Sequence, residues 1–475
     1  MGTGTGAFLK EWWTRPGGGH EVVSLAVPMI ISSGSIALMQ LTDRVFMTWL
    51  DPMAMGATFS AGNFLWFFAA FPFFVAGYCN AFVAQYNGSR QYDKIAPIVW
   101  QGIFLGMVVM PIYLFFSPWY ESCFLLFRHS PQLAKLEGIY LFYSVWGLAP
   151  MVASEALAAF FCGRKKMTTV MSVNLVFVTV NIVLDYLLIF GVYGWCAWGL
   201  AGAAIATTIS QWLRCITFFI LVFREDKKTG LFHFAANMRV NWKVAGKLLT
   251  FGGMSGVQST LEILAFTLFI MLVGMIGDAE NAATAIAFTM NSLTFLPVVG
   301  AGIAVVSLVG NRLGENRCDL ARRSVLTAAT LAVCFTGVFV VLFIFCPDLF
   351  LFAYAWQDPE GFAPIRDLTV VMLRYVALYL FFDTINIIFC SAMKGAGDMR
   401  FVIIVTLIMA PMLSLPTWYG LSRFGLGIHW PWTVATLWTL VLAVIYSARF
   451  FSGRWMKMRL FSSKDDGLSS SDAVK

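Results

Sequence analysis

Two polar residues interrupt the apolar stretch NIVLDYLLIFG (181–191): Asn181 and Asp185. Four residues is about one helical turn, so the carboxamide and the carboxylate share a face and can hold one ligand between them. Acids recur in similar settings: Asp43 in MQLTDRVFM, Glu155 in ASEALAAF, Glu262 in VQSTLEILAF and Asp383 in YLFFDTINII. A carboxylate at mid-bilayer costs about 2.5–3.5 kcal/mol on insertion scales, so an acid kept there reads as functional. Whether that reasoning applies depends on the solvent around these stretches.

The 475-residue chain is 59% hydrophobic and 12% charged, with a mean hydropathy of +0.77. Soluble domains carry about 25% charged residues, so lipid is the expected solvent and the fold class is all-α integral membrane. Runs of the roughly 20 apolar residues needed to cross a bilayer lie near 21–49, 57–85, 96–117, 136–162, 168–193 and 197–223. A second set lies near 247–276, 283–310, 325–352, 368–393, 401–421 and 430–452. The nine cysteines show neither CxxC nor metal-ligand spacing, and the N-terminus lacks the pattern of a cleavable signal peptide.

Basic residues orient the spans. Loops after the even-numbered spans hold Arg90, Lys94, Arg164–Lys166, Arg224, Lys227, Lys228, Arg239, Arg312, Arg317, Arg322, Arg323 and Arg400. The opposite loops are poorer in Lys and Arg, which predicts cytoplasmic termini. The net charge of +7 is thus a topology signal, and no nucleic-acid partner is expected. The organisation reads as a cytoplasmic N-terminus (1–20), an N-lobe (21–223), a polar cytoplasmic linker (224–246), a C-lobe (247–452) and a cytoplasmic tail (453–475).

With that orientation, Asp43, Asn181, Asp185 and Thr207 fall at similar depth in the outer half of the N-lobe. Two acids close together away from water favour a proton or a cation between them, so this oxygen-rich cluster suits H+ or Na+. Glu262 and Asp383 lie midway along spans 7 and 10, with no basic residue expected to neutralise them. A proton, a metal cation such as Na+, or a cationic substrate is the natural partner there. Glu155 lies nearer the cytoplasmic end, within reach of the basic loop Arg164–Lys166.

The halves are related. Pro72, Gly77, Gly88 and Asp93 match Pro297, Gly302, Gly314 and Asp319 in order, and Gly163, Met167 and Val170 match Gly395, Met399 and Val402. Six spans is an even number, so a duplicated unit enters the membrane twice in the same sense, giving two pseudo-symmetric six-helix lobes about an axis along the membrane normal. A cleft between such lobes suits alternating access. Enzyme chemistry finds no support: there is no GxxxxGK[ST] or HExxH, and the four histidines lie in loops or at span ends.

The stretches PMI…LMQLTDRVFM (28–47), VAQYNGSRQYDKIA (83–96), NIVLDYLLIFGVYGWCAWGLAGAAIAT (181–207), FGGMSGVQSTLEI (251–263) and FFDTINIIFCSAMKGAGDMR (381–400) carry a resemblance. Through them the chain resembles the multidrug and toxic compound extrusion (MATE) family, in particular its bacterial NorM-like members, over nearly all of 20–455. It departs from the family at Arg164–Lys166, where that loop is usually glycine-rich. The resemblance implies a cation-coupled exporter with an N-lobe cation site at Asp43, Asn181, Asp185 and Thr207, and a second set of acids at Glu262 and Asp383. It implies exchange of amphipathic organic cations for H+ or Na+, no organic cofactor, and a monomer surrounded by lipid in the bacterial inner membrane. The alternative is a lipid-linked oligosaccharide flippase of the same wider superfamily, which would need a strongly cationic central cavity; the basic residues are expected to avoid the spans.

Overall fold

The computed structural model describes residues 10–127, 129–192, 196–357 and 359–460. The first nine residues, Arg128 and the tail beyond 460 lie outside the described residues. No strand occurs among the described residues. Eleven helices are long and apolar enough to cross a membrane, and twelve when one bent pair is counted as a span.

The N-lobe comprises α1 (Gly19–Leu50), α2 (Pro52–Gly77) continued by α3 (Cys79–Gly88), α4 (Ile95–Phe115), the short α5 (Tyr120–Leu126), α6 (Pro131–Val145), α7 (Leu148–Gly163), α8 (Met167–Phe190) and α9 (Gly199–Thr229). The C-lobe comprises α10 (Trp242–Gly274), α11 (Asp278–Gly314), α12 (Cys318–Phe345), the short α13 (Asp348–Gln357), α14 (Pro359–Ala396), α15 (Met399–Phe424) and α16 (His429–Phe451). Local chemistry sets several boundaries. Ser130 caps α6 by accepting from the Leu133 N–H, with Pro131 at the first helical position. Gly191, at φ 66°, ends α8 in the left-handed conformation that an L side chain rarely adopts.

Packing repeats between the lobes. In the N-lobe α8 packs on α1 and α9, and α4 on α7; in the C-lobe α15 packs on α10 and α16, and α12 on α14. Across the interface α1 meets α11, and α2 meets α10. The lobes are joined most tightly on the side that carries the 230–241 linker. There a Cβ on Gly88 would lie 2.1 Å from the Asn311 carbonyl oxygen, and one on Gly314 would lie 2.3 Å from the Gln85 carbonyl oxygen. The helix ends therefore cross backbone to backbone, twice, by the same device. Glu21 of α1 adds an ion pair to Arg312 of α11 at 2.7 Å and another to Lys165 at 3.1 Å.

Three expectations change. The fourth span, read as one run at 136–162, is the pair α6 and α7, bent by 44°. Basic residues do not all avoid the spans: Arg214 of α9 is only 5% exposed. The linker is not simply polar, because Phe232 and Phe234 are fully buried and the Trp100 indole donates to the Phe234 carbonyl at 2.8 Å. Asp226 accepts from the N–H groups of Phe232 and Phe234, which pins the chain against the N-lobe.

Candidate functional site

The residues predicted to cluster in the N-lobe are brought together. Asn181 and Asp185 are both fully buried on one face of α8. The Asn181 carboxamide donates to the Thr207 hydroxyl of α9 at 3.4 Å. Asp43, on α1, sets its carboxyl beside that of Asp185. No donor among the described residues reaches either oxygen of Asp185 or Oδ1 of Asp43. With Asp185 fully buried and Asp43 half-buried beside it, two charged carboxyls this close repel each other and favour taking up a proton or a cation between them.

Sequence reasoning missed Tyr140. This half-buried phenol on α6 lies within electrostatic range of both Asp43 and Asp185. Among 14 tyrosines nothing in its local sequence sets it apart, since its role depends on where α6 docks. Glu137 was also missed. It lies one residue inside the fourth span as read from sequence, where an acid looks interfacial; the helix instead begins at Pro131 and carries Glu137 inward. Its side chain is fully buried and its carboxylate meets His129 Nδ1 at 2.9 Å and the Ser60 hydroxyl.

Glu155 is placed differently from expectation. It pairs with Arg214 at 2.7 Å rather than with the 164–166 loop. The loop has its own partners: Arg164 and Lys166 hold Glu225, and Lys165 holds Glu21. Arg214 completes its shell by donating from Nε to Asn174 at 2.9 Å and stacking over Phe177 and Phe218. A buried ion pair of this kind is tolerable only when both partners are well hydrogen-bonded.

In the C-lobe, Glu262 and Asp383 lie within electrostatic range of each other but share no hydrogen bond. Each is held along its own helix: Gln258 donates to Glu262 at 2.9 Å, and Asn386 to Asp383 at 3.4 Å. α14 also carries Arg374, but it is exposed and stands nine residues away, about 14 Å along the helix. These acids are thus two half-buried single carboxylates, unlike the adjacent pair in the N-lobe.

The MatE family model matches residues 28–187 and 255–419, covering both lobes. Among curated relatives, the multidrug resistance protein NorM of Burkholderia vietnamiensis is 25% identical over 432 residues, 90% of this chain and 93% of that protein. The multidrug resistance protein MdtK of Pectobacterium atrosepticum is 26% identical over 412 residues, 85% and 87% of the two chains. In fold, the chain is similar to a multidrug resistance MATE family transporter of the MOP superfamily solved in an outward-facing conformation. That similarity has a TM-score of 0.81 at 17% identity and covers 94% of this chain and 98% of the other. With both lobes matched and the twelve-span architecture in place, the chain belongs to the MatE family of multi-pass membrane transporters and is NorM-like.

Proposed function

We propose that the protein is a secondary active antiporter that exports organic, often cationic, compounds in exchange for H+ or Na+. The observation that carries this reading is the placing of the Asp43 carboxyl beside that of the buried Asp185, with no donor among the described residues to either Asp185 oxygen. Such a pair is satisfied when it takes up a positive charge and is strained when it loses one. A lobe that binds and releases a cation thereby has two states of different charge, which is what coupling requires. Adjacent carboxyls suit a shared proton, and the separated acids of the C-lobe leave room for a hydrated ion or a cationic substrate. Substrate identity follows the relatives' printed names, which describe multidrug resistance.

The linker side is read as cytoplasmic from its basic residues, with the protein in the bacterial inner membrane. The close joining of the lobes on that side supports a state closed to the cytoplasm. A lipid-linked oligosaccharide flippase would need unpaired cations on its cavity wall; Arg214, buried in the N-lobe, is neutralised by Glu155, and no observation favours that reading.

The test is export of a fluorescent organic cation from vesicles containing the purified protein, under an imposed pH gradient and, separately, an imposed Na+ gradient. Export driven by either gradient supports antiport and names the ion. Export under neither, with transbilayer movement of a labelled glycolipid, would replace it with the flippase.

A further inference from the structure

On the linker side the chain enters the N-lobe through a helical turn at 10–14 that carries Trp12 and Trp13, followed by Arg15 and the sequence PGGG at 16–19. Gly17, at φ 72°, turns this segment onto α12 of the C-lobe. Its carbonyl accepts from the Thr327 hydroxyl at 2.9 Å, and a Cβ there would lie 3.0 Å from Ser324 Oγ. The Gly17 N–H donates to Glu21 at 2.8 Å. The Arg15 backbone is bonded on both sides, its N–H donating to the Glu11 carbonyl and its carbonyl accepting from the Gly18 N–H. A glycine in a conformation that L side chains rarely adopt thus holds Arg15 against the other lobe.

The result is a groove of about 340 Å³ between the lobes, walled by Trp12 and Arg15 on one side and by Asp319, Arg322, Arg323 and Leu326 of α12 on the other. Three arginines against one aspartate leave it a net charge of +2. None of the three has a carboxylate partner among the described residues, and Arg15 Nε is buried with no acceptor. Other basic residues on the same side are served by protein: Arg312 and Lys165 by Glu21, Arg164 and Lys166 by Glu225, and Arg449 by Asp398. The positive-inside bias puts charge on one face of a membrane protein but does not require it to converge on a hollow. Cations gathered around one hollow repel one another, and an anion between them relieves that repulsion.

We propose that this groove binds an anionic phospholipid, whose headgroup phosphodiester sits among Arg15, Arg322 and Arg323 and bridges the two lobes. Basic pockets between membrane helices on the cytoplasmic side suit such headgroups. The surroundings select lipid over a soluble phosphate. Arg322 and Arg323 stand four and five residues past the start of a membrane-spanning helix. Beyond them α12 exposes Leu326, Val338 and Val341, so acyl chains can continue from the headgroup along the same helix. The half-buried Trp12 and the exposed Trp13 supply amphipathic rings of the kind that settle at headgroup level. Asp319, one turn before the two arginines, repels a dianionic free phosphate more than a singly charged diester. Guanidinium forks pair two phosphate oxygens at once, and a zwitterionic headgroup brings its own cation to compete for them. Arg15 leads into α1 of the N-lobe and the other two arginines belong to the C-lobe, so one headgroup held by all three adds a tie between the lobes. The site does not depend on which ion drives transport.

The experiment is native mass spectrometry of the full-length protein released from detergent, titrated with phosphatidylglycerol or with phosphatidylcholine of the same acyl chains. The expected result is one phosphatidylglycerol bound about tenfold more tightly than phosphatidylcholine, the order of one charge-assisted hydrogen bond. That preference should be lost in Arg15→Gln/Arg322→Gln/Arg323→Gln. A control variant, Lys228→Gln/Arg239→Gln/Arg400→Gln, removes the same charge from exposed positions scattered over the same side and should keep the preference. Both variants are compared with the wild type in elution profile and thermal transition; where the groove variant unfolds, the three single substitutions decide in its place. Arg15→Gln alone should weaken phosphatidylglycerol binding several-fold, because it removes the N-lobe's share of the headgroup. Equal binding of the two lipids by the wild type, or the same loss in groove and control variants, would leave only general attraction to a basic face and overturn the site. Full affinity in Arg15→Gln would overturn the bridge between the lobes. Displacement of the bound lipid by millimolar inorganic phosphate would reassign the groove to a soluble anion.

Discussion

Gln85 and Asn311 perform the same task in opposite directions across the lobe interface. Gln85, near the end of α3, donates to the Gly395 carbonyl at the end of α14 at 2.9 Å. Asn311, near the end of α11, donates to the Gly163 carbonyl at the end of α7 at 2.6 Å. A second reciprocal pair lies beside them, with Tyr78 donating to the Lys394 carbonyl and Ser307 to the Cys162 carbonyl. Helix ends expose carbonyls without intrahelical partners, and here each lobe caps the other's.

This clasp predicts the conformational balance. Gln85→Ala with Asn311→Ala leaves buried carbonyls unserved at about 1–3 kcal/mol each, a shift of roughly tenfold or more in the closed population. Spin labels at Thr168 and Arg322, on the linker side of opposite lobes, should show a longer distance gaining weight in the double variant. An unchanged distance distribution would mean that the side chains do not hold this state.

Arg214 and Glu155 predict an asymmetric response. Arg214→Gln strands a carboxylate in the lobe interior and should lower stability by about 3–5 kcal/mol, whereas Arg214→Met combined with Glu155→Gln should recover most of that loss. Thermal unfolding in detergent, compared among the three proteins, checks this. Equal losses in the single and double variants would show that the pair's charges are not what matters.

The local spacing of Asn181 and Asp185 was enough to place both on one face of α8, and a topology argument brought Asp43 and Thr207 to the same level. Both inferences use information carried along single helices. Arg214 was missed because its charge was weighed only through the loops; its partner Glu155 is 59 residues away in sequence, and only packing of α9 on α7 brings them together. Tyr140 and Glu137 were hidden for a related reason, since the bend between α6 and α7 and the docking of α6 decide which way they face. The cross-lobe clasp was legible only as matching glycines, Gly88 with Gly314 and Gly163 with Gly395. Their spacing shows kinship between the halves and says nothing of which atoms meet.

The two acid sets should separate by role. Glu262→Gln and Asp383→Asn each remove a carboxylate that has a neutral partner on its own helix, so neither leaves a charge stranded. Both variants should express normally and lose gradient-driven export by an order of magnitude or more, as expected when a group with a direct role in binding is neutralised. Binding of the organic cation, measured by fluorescence polarisation, should weaken in these variants more than in Asp185→Asn. Equal weakening in all three would merge the sets into one site.

Asp185 is the sharpest test of the N-lobe pair. Asp185→Asn keeps the shape of the side chain and gives Asp43 an N–H donor where it now faces a second carboxyl. The pair then no longer needs a shared positive charge, so the lobe should fold at least as stably as the wild type. It should also be unable to change charge during a cycle, and gradient-driven export should be abolished at matched protein levels. Asp185→Glu retains a carboxyl with one extra methylene and should keep part of the activity. Asn181→Ala should be milder still, because it removes the partner of Thr207 and leaves both acids side by side. The three variants therefore rank Asn181→Ala, then Asp185→Glu, then Asp185→Asn in residual export, while stability runs in a different order with Asp185→Asn highest. Wild-type export by Asp185→Asn would make the carboxyl pair structural and separate it from transport.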